Sequence, residues 1–551
     1  MSHRRTLLYV SLLAVASSLT ACNGDSDSSS SAQPVAVTST VDVQQGRLSG
    51  NAADANGVIN FKGIPFAAPP VGDLRWREPQ PALSWNGTRD ATQFGANCYE
   101  ASSNANTSTV PVSTQSEDCL FLNVWTSART STDKLPVMVW FHGGGFEIGN
   151  VTEAELDGAK LAARGVVTVT INYRLGVLGF LAHPDLDAES SGHSSGMYGM
   201  QDMLASLKWL QANVAQFGGD PNNITIMGES AGSHAVGMLM SSSLAKGLFN
   251  KAIGESGAFW ENNHGALDSH QTAQQRGVAL ENRMGVSSIA ALRAMSALQL
   301  SQSNAPYDDP TTAAQTSFSP SLDGYVLTEN PYVSFMNGHQ SDVPLLAGYN
   351  GAEGVIFASS GLPHDTVADY TNAAQTEFGA ANMPDFLSLY PAGSVAEASN
   401  SSVVLAGDQI ISQQTWSWLG LQSRTGHAPA YGYNFFFVSG YTPVPIHTSE
   451  VPYVFGNLVS EPVFGGKQAA AGSADYALSD QMQRYWTNFA RSGNPNADGL
   501  PNWPSYGSAN NPVLQFTSGG TTPGPAAGIP RFQFLDRFRS NGVITVSQPT
   551  N

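Results

Sequence analysis

The feature that most restricts this chain is a series of short, continuous apolar runs spaced along it. They read LFLNVWT (120–126), LPVMVWF (135–141), VVTVTINY (166–173), ITIM (224–227), KAIGES (251–256), VPLLAGY (343–349), YGYNFFFV (431–438) and VLQF (513–516). β-Branched and aromatic residues fill them with little polar alternation, the pattern of strands covered on both faces. Such strands make a mostly parallel sheet, whose crossovers carry helices. Helical spacing lies between the runs. Met200, Met203, Leu204, Leu207, Gln211 and Val214 form one stripe, polar only at Gln211 and stopped by Gly218–Gly219, and Met482, Tyr485, Trp486 and Phe489 form another, stopped by Gly493. The front end, VDVQQGRLSG and GVINFKGIPF, reads as a hairpin instead. No repeat or linker interrupts residues 40–545. The predicted fold is therefore one α/β unit, a central mostly parallel sheet with helices on both faces and an N-terminal β-hairpin.

GxSxG occurs twice, as GHSSG (192–196) and GESAG (228–232). A serine becomes an exposed nucleophile when a strand turns sharply through it into a helix, which small flanking residues permit. GHSSG follows the polar HPDLDAESS, so Ser194 reads as a loop serine. GESAG follows NNITIM and precedes SHAVGMLM, which selects Ser230.

A serine hydroxyl is a weak nucleophile and needs a base, itself oriented by an acid. In sheets with such an elbow, acid and base follow the serine in chain order at the carboxyl ends of later strands. Glu353 comes directly after the run VPLLAGY, whereas the rival Asp323 precedes it. Among the later histidines, His364 follows no strand and His427 enters one at its amino end. His447 lies in the loop after YGYNFFFV, at the correct edge. The oxyanion of an acyl-transfer intermediate needs N–H donors. WFHGGGFEIG (140–149) offers glycines at a strand end, and Ala231 follows the serine.

The N-terminus reads as a processing segment. MSHRR and a short apolar stretch end in LTAC, a lipobox pattern that predicts cleavage before Cys22 and lipid on its thiol. Residues 1–21 are then a signal peptide and 22–39 a flexible tether. This places the chain on a bacterial membrane, with the outer membrane or cell surface expected, or makes it secreted if the lipobox is unused. Cys98 and Cys119 remain, as a disulfide in an oxidising compartment or as two buried thiols. A net charge of −18 disfavours nucleic acid as a partner.

These stretches together resemble the type B carboxylesterase family, which includes the cholinesterases. The matching segments are FKGIPFAAPPVGDLRWREPQP (61–81), SEDCLFLNVW (116–125), HGGGF (142–146), NYRLGVLGF (172–180), FGGDPNNITIMGESAGS (217–233), FNKAIGESGA (249–258), GYNGAEG (348–354) and HTSEVPYVFG (447–456). The resemblance implies an α/β-hydrolase catalytic domain over 40–545 that hydrolyses carboxylic esters through an acyl-enzyme, without metal or cofactor. It implies Ser230 as nucleophile, Glu353 as acid, His447 as base, Gly144, Gly145 and Ala231 as oxyanion donors, and a Cys98–Cys119 disulfide. Glu229 and Ser256 are candidates for supporting groups. Met197 stands where the family commonly has Asn. The cholinesterase relatives bind quaternary ammonium on a tryptophan of the disulfide-closed stretch. Here that stretch has Tyr99 as its one aromatic, so no choline preference is expected. The substrate is a small or polymeric ester. A lipase or polyester hydrolase is one alternative, and an inactive adhesion protein is another.

Overall fold

Ten strands are hydrogen-bonded edge to edge in the order β13-β12-β11-β10-β9-β8-β6-β7-β5-β3. Their ranges are β3 Ile59–Pro65, β5 Phe121–Thr126, β6 Leu135–Phe141, β7 Val167–Ile171, β8 Gly219–Glu229, β9 Lys251–Glu255, β10 Leu345–Asn350, β11 Ala430–Phe436, β12 Pro512–Thr517 and β13 Gly520–Pro525. This computed structural model describes residues 35–101, 110–259, 267–303, 318–458, 466–507 and 510–538. The expected signal peptide, Cys22 and the expected tether as far as residue 34 lie outside the described residues. Residues 35–39, assigned to the tether from sequence, are instead pinned to the domain, with Val37 buried and its N–H on the Arg129 carbonyl (2.9 Å) because its apolar side chain joins the core.

The continuous hydrophobicity of the runs has a direct cause. Along β6, Val137, Val139 and Phe141 join one buried cluster, while Met138 and Trp140 join another. Ile224 and Ile226 of β8 divide from Met227 in the same way. Both faces are covered, so both alternating sets of side chains must be apolar.

From β7 through β6, β8, β9, β10 and β11 to β12 every pairing is parallel. Antiparallel pairs close the ends, β12 with β13 and β3 with β5 and β5 with β7. The front-end hairpin forms within VDVQQGRLSG alone, β1 (Thr40–Val43) against β2 (Gly46–Ser49), joined by β4 (Thr88–Asp90). The second stretch, GVINFKGIPF, instead supplies β3 to the edge of the large sheet. Helices α1 (Tyr198–Asn213), α2 (Ala231–Ser241) and α3 (Ala474–Ser492) pack on the sheet. No helix among the described residues is long and apolar enough to cross a membrane.

Parallel pairing has a consequence for chemistry. The carboxyl ends of β6, β8, β9, β10 and β11 fall on one edge, with Phe141 beside Gly228 and Glu229 beside Glu255. The loops leaving that edge carry the glycine run, Ser230, Ser256, Glu353 and His447.

Candidate active site

Ser230 is the single residue between β8 and α2, with φ 53° and ψ −122°. A non-glycine residue at positive φ is strained, and here packing on both sides imposes it. A Cβ on Gly232 would lie 2.0 Å from the Phe141 carbonyl oxygen, and one on Gly228 would lie 2.5 Å from the Gly232 carbonyl carbon. Only glycines let strand and helix close this far. The Ser230 backbone is held at both ends: its N–H donates to the Glu255 carbonyl (2.9 Å) and its own carbonyl accepts from His234 N–H (2.9 Å).

The glycine run packs directly against this turn. A Cβ on Gly143 would be 3.1 Å from the Ser230 Cβ. Gly144 and Gly145 turn with φ of 100° and 64°, and a Cβ on Gly144 would strike the Ile148 carbonyl at 2.2 Å. Among the described residues, the N–H groups of Gly144, Gly145 and Ala231 have no protein acceptor.

His447 is buried, and its Nδ1 lies 2.5 Å from Glu353 Oε2. The other oxygen of Glu353 accepts from the Asn350 N–H (2.6 Å) and the Ser256 hydroxyl (2.7 Å). Phe357 packs edge-on against the imidazole, ring centroids 5.1 Å apart. Nε2 faces the elbow without a hydrogen bond: it is 3.1 Å from Oε1 of Glu229, the residue before Ser230, and neither atom is satisfied. Burial pulls the imidazole down, but the Glu229 and Glu353 carboxylates outweigh it and raise it to about 9. Burial raises Glu229 to about 8. The two groups thus compete for one proton.

Behind the acid lies a second layer of carboxylates. The Ser256 hydroxyl is 2.7 Å from Glu353 and 3.0 Å from Glu450 Oε1, yet it has one proton to give. Both contacts are hydrogen bonds only if Glu450 supplies a proton of its own, and burial with the Glu353 charge does push its carboxyl up. Tyr433 OH (3.1 Å) and Asn350 Nδ2 (2.5 Å) also donate to Glu450. Glu255, pushed well above the usual range by burial, accepts from Trp486 Nε1 at 2.7 Å.

The rival residues do not meet at this edge. Ser194 is buried and donates to Asp323 (2.8 Å), His427 is held by its backbone N–H to Asp342, and His364 Nδ1 lies 2.9 Å from the Leu362 carbonyl. Cys98 and Cys119 form a disulfide, with Cα atoms 5.0 Å apart. Met197 accepts the Ser321 N–H on its sulfur (3.3 Å). Sequence reasoning singled out Glu229 and Ser256 but missed Glu450, Glu255, Asn350 and Phe357. Glu450 alone left a signal, as a lone acid three residues past the histidine.

A family model described as the carboxylesterase family matches residues 37–528. The chain is similar to a fumonisin B1 esterase of Sphingopyxis macrogoltabida, 38% identical over 84% of each chain. It is also similar to a para-nitrobenzyl esterase of Bacillus subtilis, 35% identical over 85% of this chain and 92% of that one. Among solved structures, a PNB esterase superposes with a TM-score of 0.74 at 32% identity, covering 90% of this chain and 99% of that one. A Geobacillus stearothermophilus carboxylesterase gives 0.74 at 29% identity over the same shares.

Proposed function

The chain belongs to the carboxylesterase family and hydrolyses carboxylic esters, and we propose that it does so through an acyl-enzyme on Ser230, with His447 as base and Glu353 as acid. The observation that carries this reading is the His447 imidazole, clamped at Nδ1 by Glu353 and left unsatisfied at Nε2 beside the elbow. Ser230 Oγ attacks the ester carbonyl as Nε2 takes its proton. Glu353 fixes the tautomer and steadies the imidazolium. The N–H groups of Gly144, Gly145 and Ala231 receive the oxyanion. The imidazolium then protonates the departing alcohol, and water repeats the cycle to release the acid. Before attack the imidazole must be neutral, so that Nε2 can take the Ser230 proton.

An alkyl fluorophosphonate followed by peptide mass mapping tests the assignment. The adduct is expected on the peptide containing Ser230 and absent in Ser230→Ala. An adduct on Ser194 would overturn it.

The lipid anchor at Cys22 belongs to the same proposal and is supported by the LTAC sequence after the apolar stretch. Cys22→Ser is expected to move the enzyme from the membrane fraction to the soluble one, and fatty-acid labelling of the mutant would defeat this.

A further inference from the structure

Beside the histidine loop lies a cleft of about 150 Å³. Its walls come from three loops already described. Val355 stands two residues past Glu353, Ile446 and Thr448 flank His447, and Glu155 lies on the short turn (Ala154–Leu156) that follows the glycine run. The walls are largely apolar, through Val355, Val444, Ile446 and two prolines. At the rim Val355 and Val444 remain 43% and 48% exposed.

Glu155 is out of place in such a cleft. Among the described residues its carboxylate has no hydrogen-bond donor and no cation. Asn457 donates to its backbone carbonyl instead (2.9 Å), and Lys160 gives its ammonium to the Gly456 carbonyl (2.6 Å). The charge that acts on Glu155 is another acid, Glu153, which is held by Asn150 at 3.1 Å. Besides Glu155, the only ionisable group in the lining is the Tyr441 phenol. Burial, with Glu153, pushes the Glu155 carboxyl up to about 7. A partly buried, ionised carboxylate beside apolar walls gains from a cation with N–H donors.

We propose that this cleft binds a part of the substrate, and that the enzyme favours esters carrying a protonated primary or secondary amine on an apolar chain. The chain would lie along the valines and prolines while the ammonium donates to Glu155. The walls are built from the loops that carry Glu353 and His447, which sets the cleft next to the groups proposed to act on the ester. A trimethylammonium group has no N–H to donate, so choline esters gain little here. The inference rests on the catalytic reading above.

The test uses isosteric ester pairs on the full-length enzyme: aminohexyl acetate against heptyl acetate, and p-nitrophenyl aminohexanoate against p-nitrophenyl heptanoate. In at least one pair, kcat/KM is expected to favour the amine by about ten-fold, the size of one charge-assisted hydrogen bond, and mainly through KM. Glu155→Gln should reduce that ratio to near one. In the wild type the ratio should also grow as pH rises from about 6 to about 8, because Glu155 ionises there while the amine stays protonated. That measurement needs no variant, and the neutral ester corrects for titration of His447. An equal ratio in wild type and Glu155→Gln, or no amine preference in either pair at any pH, overturns the proposal. Neutral-ester hydrolysis reports separately on the triad. A Ser230→Ala enzyme that still turned over heptyl acetate would break the catalytic reading and leave the Glu155 ratio to be judged by itself.

Discussion

The two GxSxG stretches place serines in the same local pattern and in opposite circumstances. In GHSSG the positive φ falls on His193 (50°), and Ser194 is buried with its hydroxyl on Asp323, 2.8 Å away. Its neighbour Ser195 donates to Asp187, whose other oxygen lies 2.7 Å from His270 Nε2. Serine, acid and histidine therefore gather there too, but with the acid in the middle. An acid between the two accepts from both and holds the serine proton in place. In GESAG the positive φ falls on the serine itself (53°), and a histidine with an unsatisfied Nε2 faces that turn while its acid sits behind it. The order of the three groups decides whether such a cluster pins a loop or activates a nucleophile.

Mutation at the two sites gives the largest expected contrast. Ser230→Ala should lower kcat by about 10⁵ or more, and His447→Ala and Glu353→Gln by about 10³ or more, on a neutral p-nitrophenyl ester. Ser194→Ala should retain turnover. Activity lost in Ser194→Ala and kept in Ser230→Ala would invert the comparison.

A smaller effect concerns the acid that does sit beside the active histidine. Glu229 and Glu353 raise His447, so its neutral form populates only as pH rises, and the acid limb of kcat/KM should lie above the ordinary value of about 6.5. Glu229→Gln removes one raising charge. The limb should then move to lower pH, by on the order of one unit, with the alkaline plateau kept. A limb that stayed in place would show that Glu229 carries its proton throughout and exerts no charge on the base.

The contrast also marks how far the sequence could be read. Strands covered on both faces announce themselves, because Val137 and Met138 must both be apolar when they enter different clusters. Chain order and strand edge pointed to His447 over His427, and the fold sets His447, not His427, against Glu353. Edge strands are less legible: β3 alternates as a hairpin arm would, and its partner β5 begins at Phe121, 56 residues after β3 ends at Pro65. The carboxylates behind the triad were opaque for a different reason. Glu450 looks like a loop acid, and its burial makes sense only through Tyr433, Ser256 and Asn350, which are 17, 194 and 100 residues away. Glu155 is hidden in the same way, since only the fold sets it in a cleft with Val355, Val444 and Ile446.

The smallest expected effect separates what Ser194 does from what Ser230 does. Asp323 accepts not only the Ser194 hydroxyl but also the N–H groups of Val326 (3.1 Å) and Leu327 (2.8 Å). Removing the hydroxyl therefore leaves the carboxylate partly satisfied, and the loss should be about 1 kcal/mol rather than the several that follow from stranding a buried charge. In a chain of 551 residues that corresponds to a fall in Tm of about 1–2 °C, with esterase kinetics unchanged. Ser230→Ala should show the reverse, because the strained turn is held by Gly228, Gly232 and the backbone bonds to Glu255 and His234, none of which involve Oγ. Its Tm should stay level or rise while activity disappears. Paired thermal melts and ester assays on the two variants would reveal either pattern, and a Ser194→Ala enzyme that kept its Tm but lost turnover would assign the buried serine a chemical role.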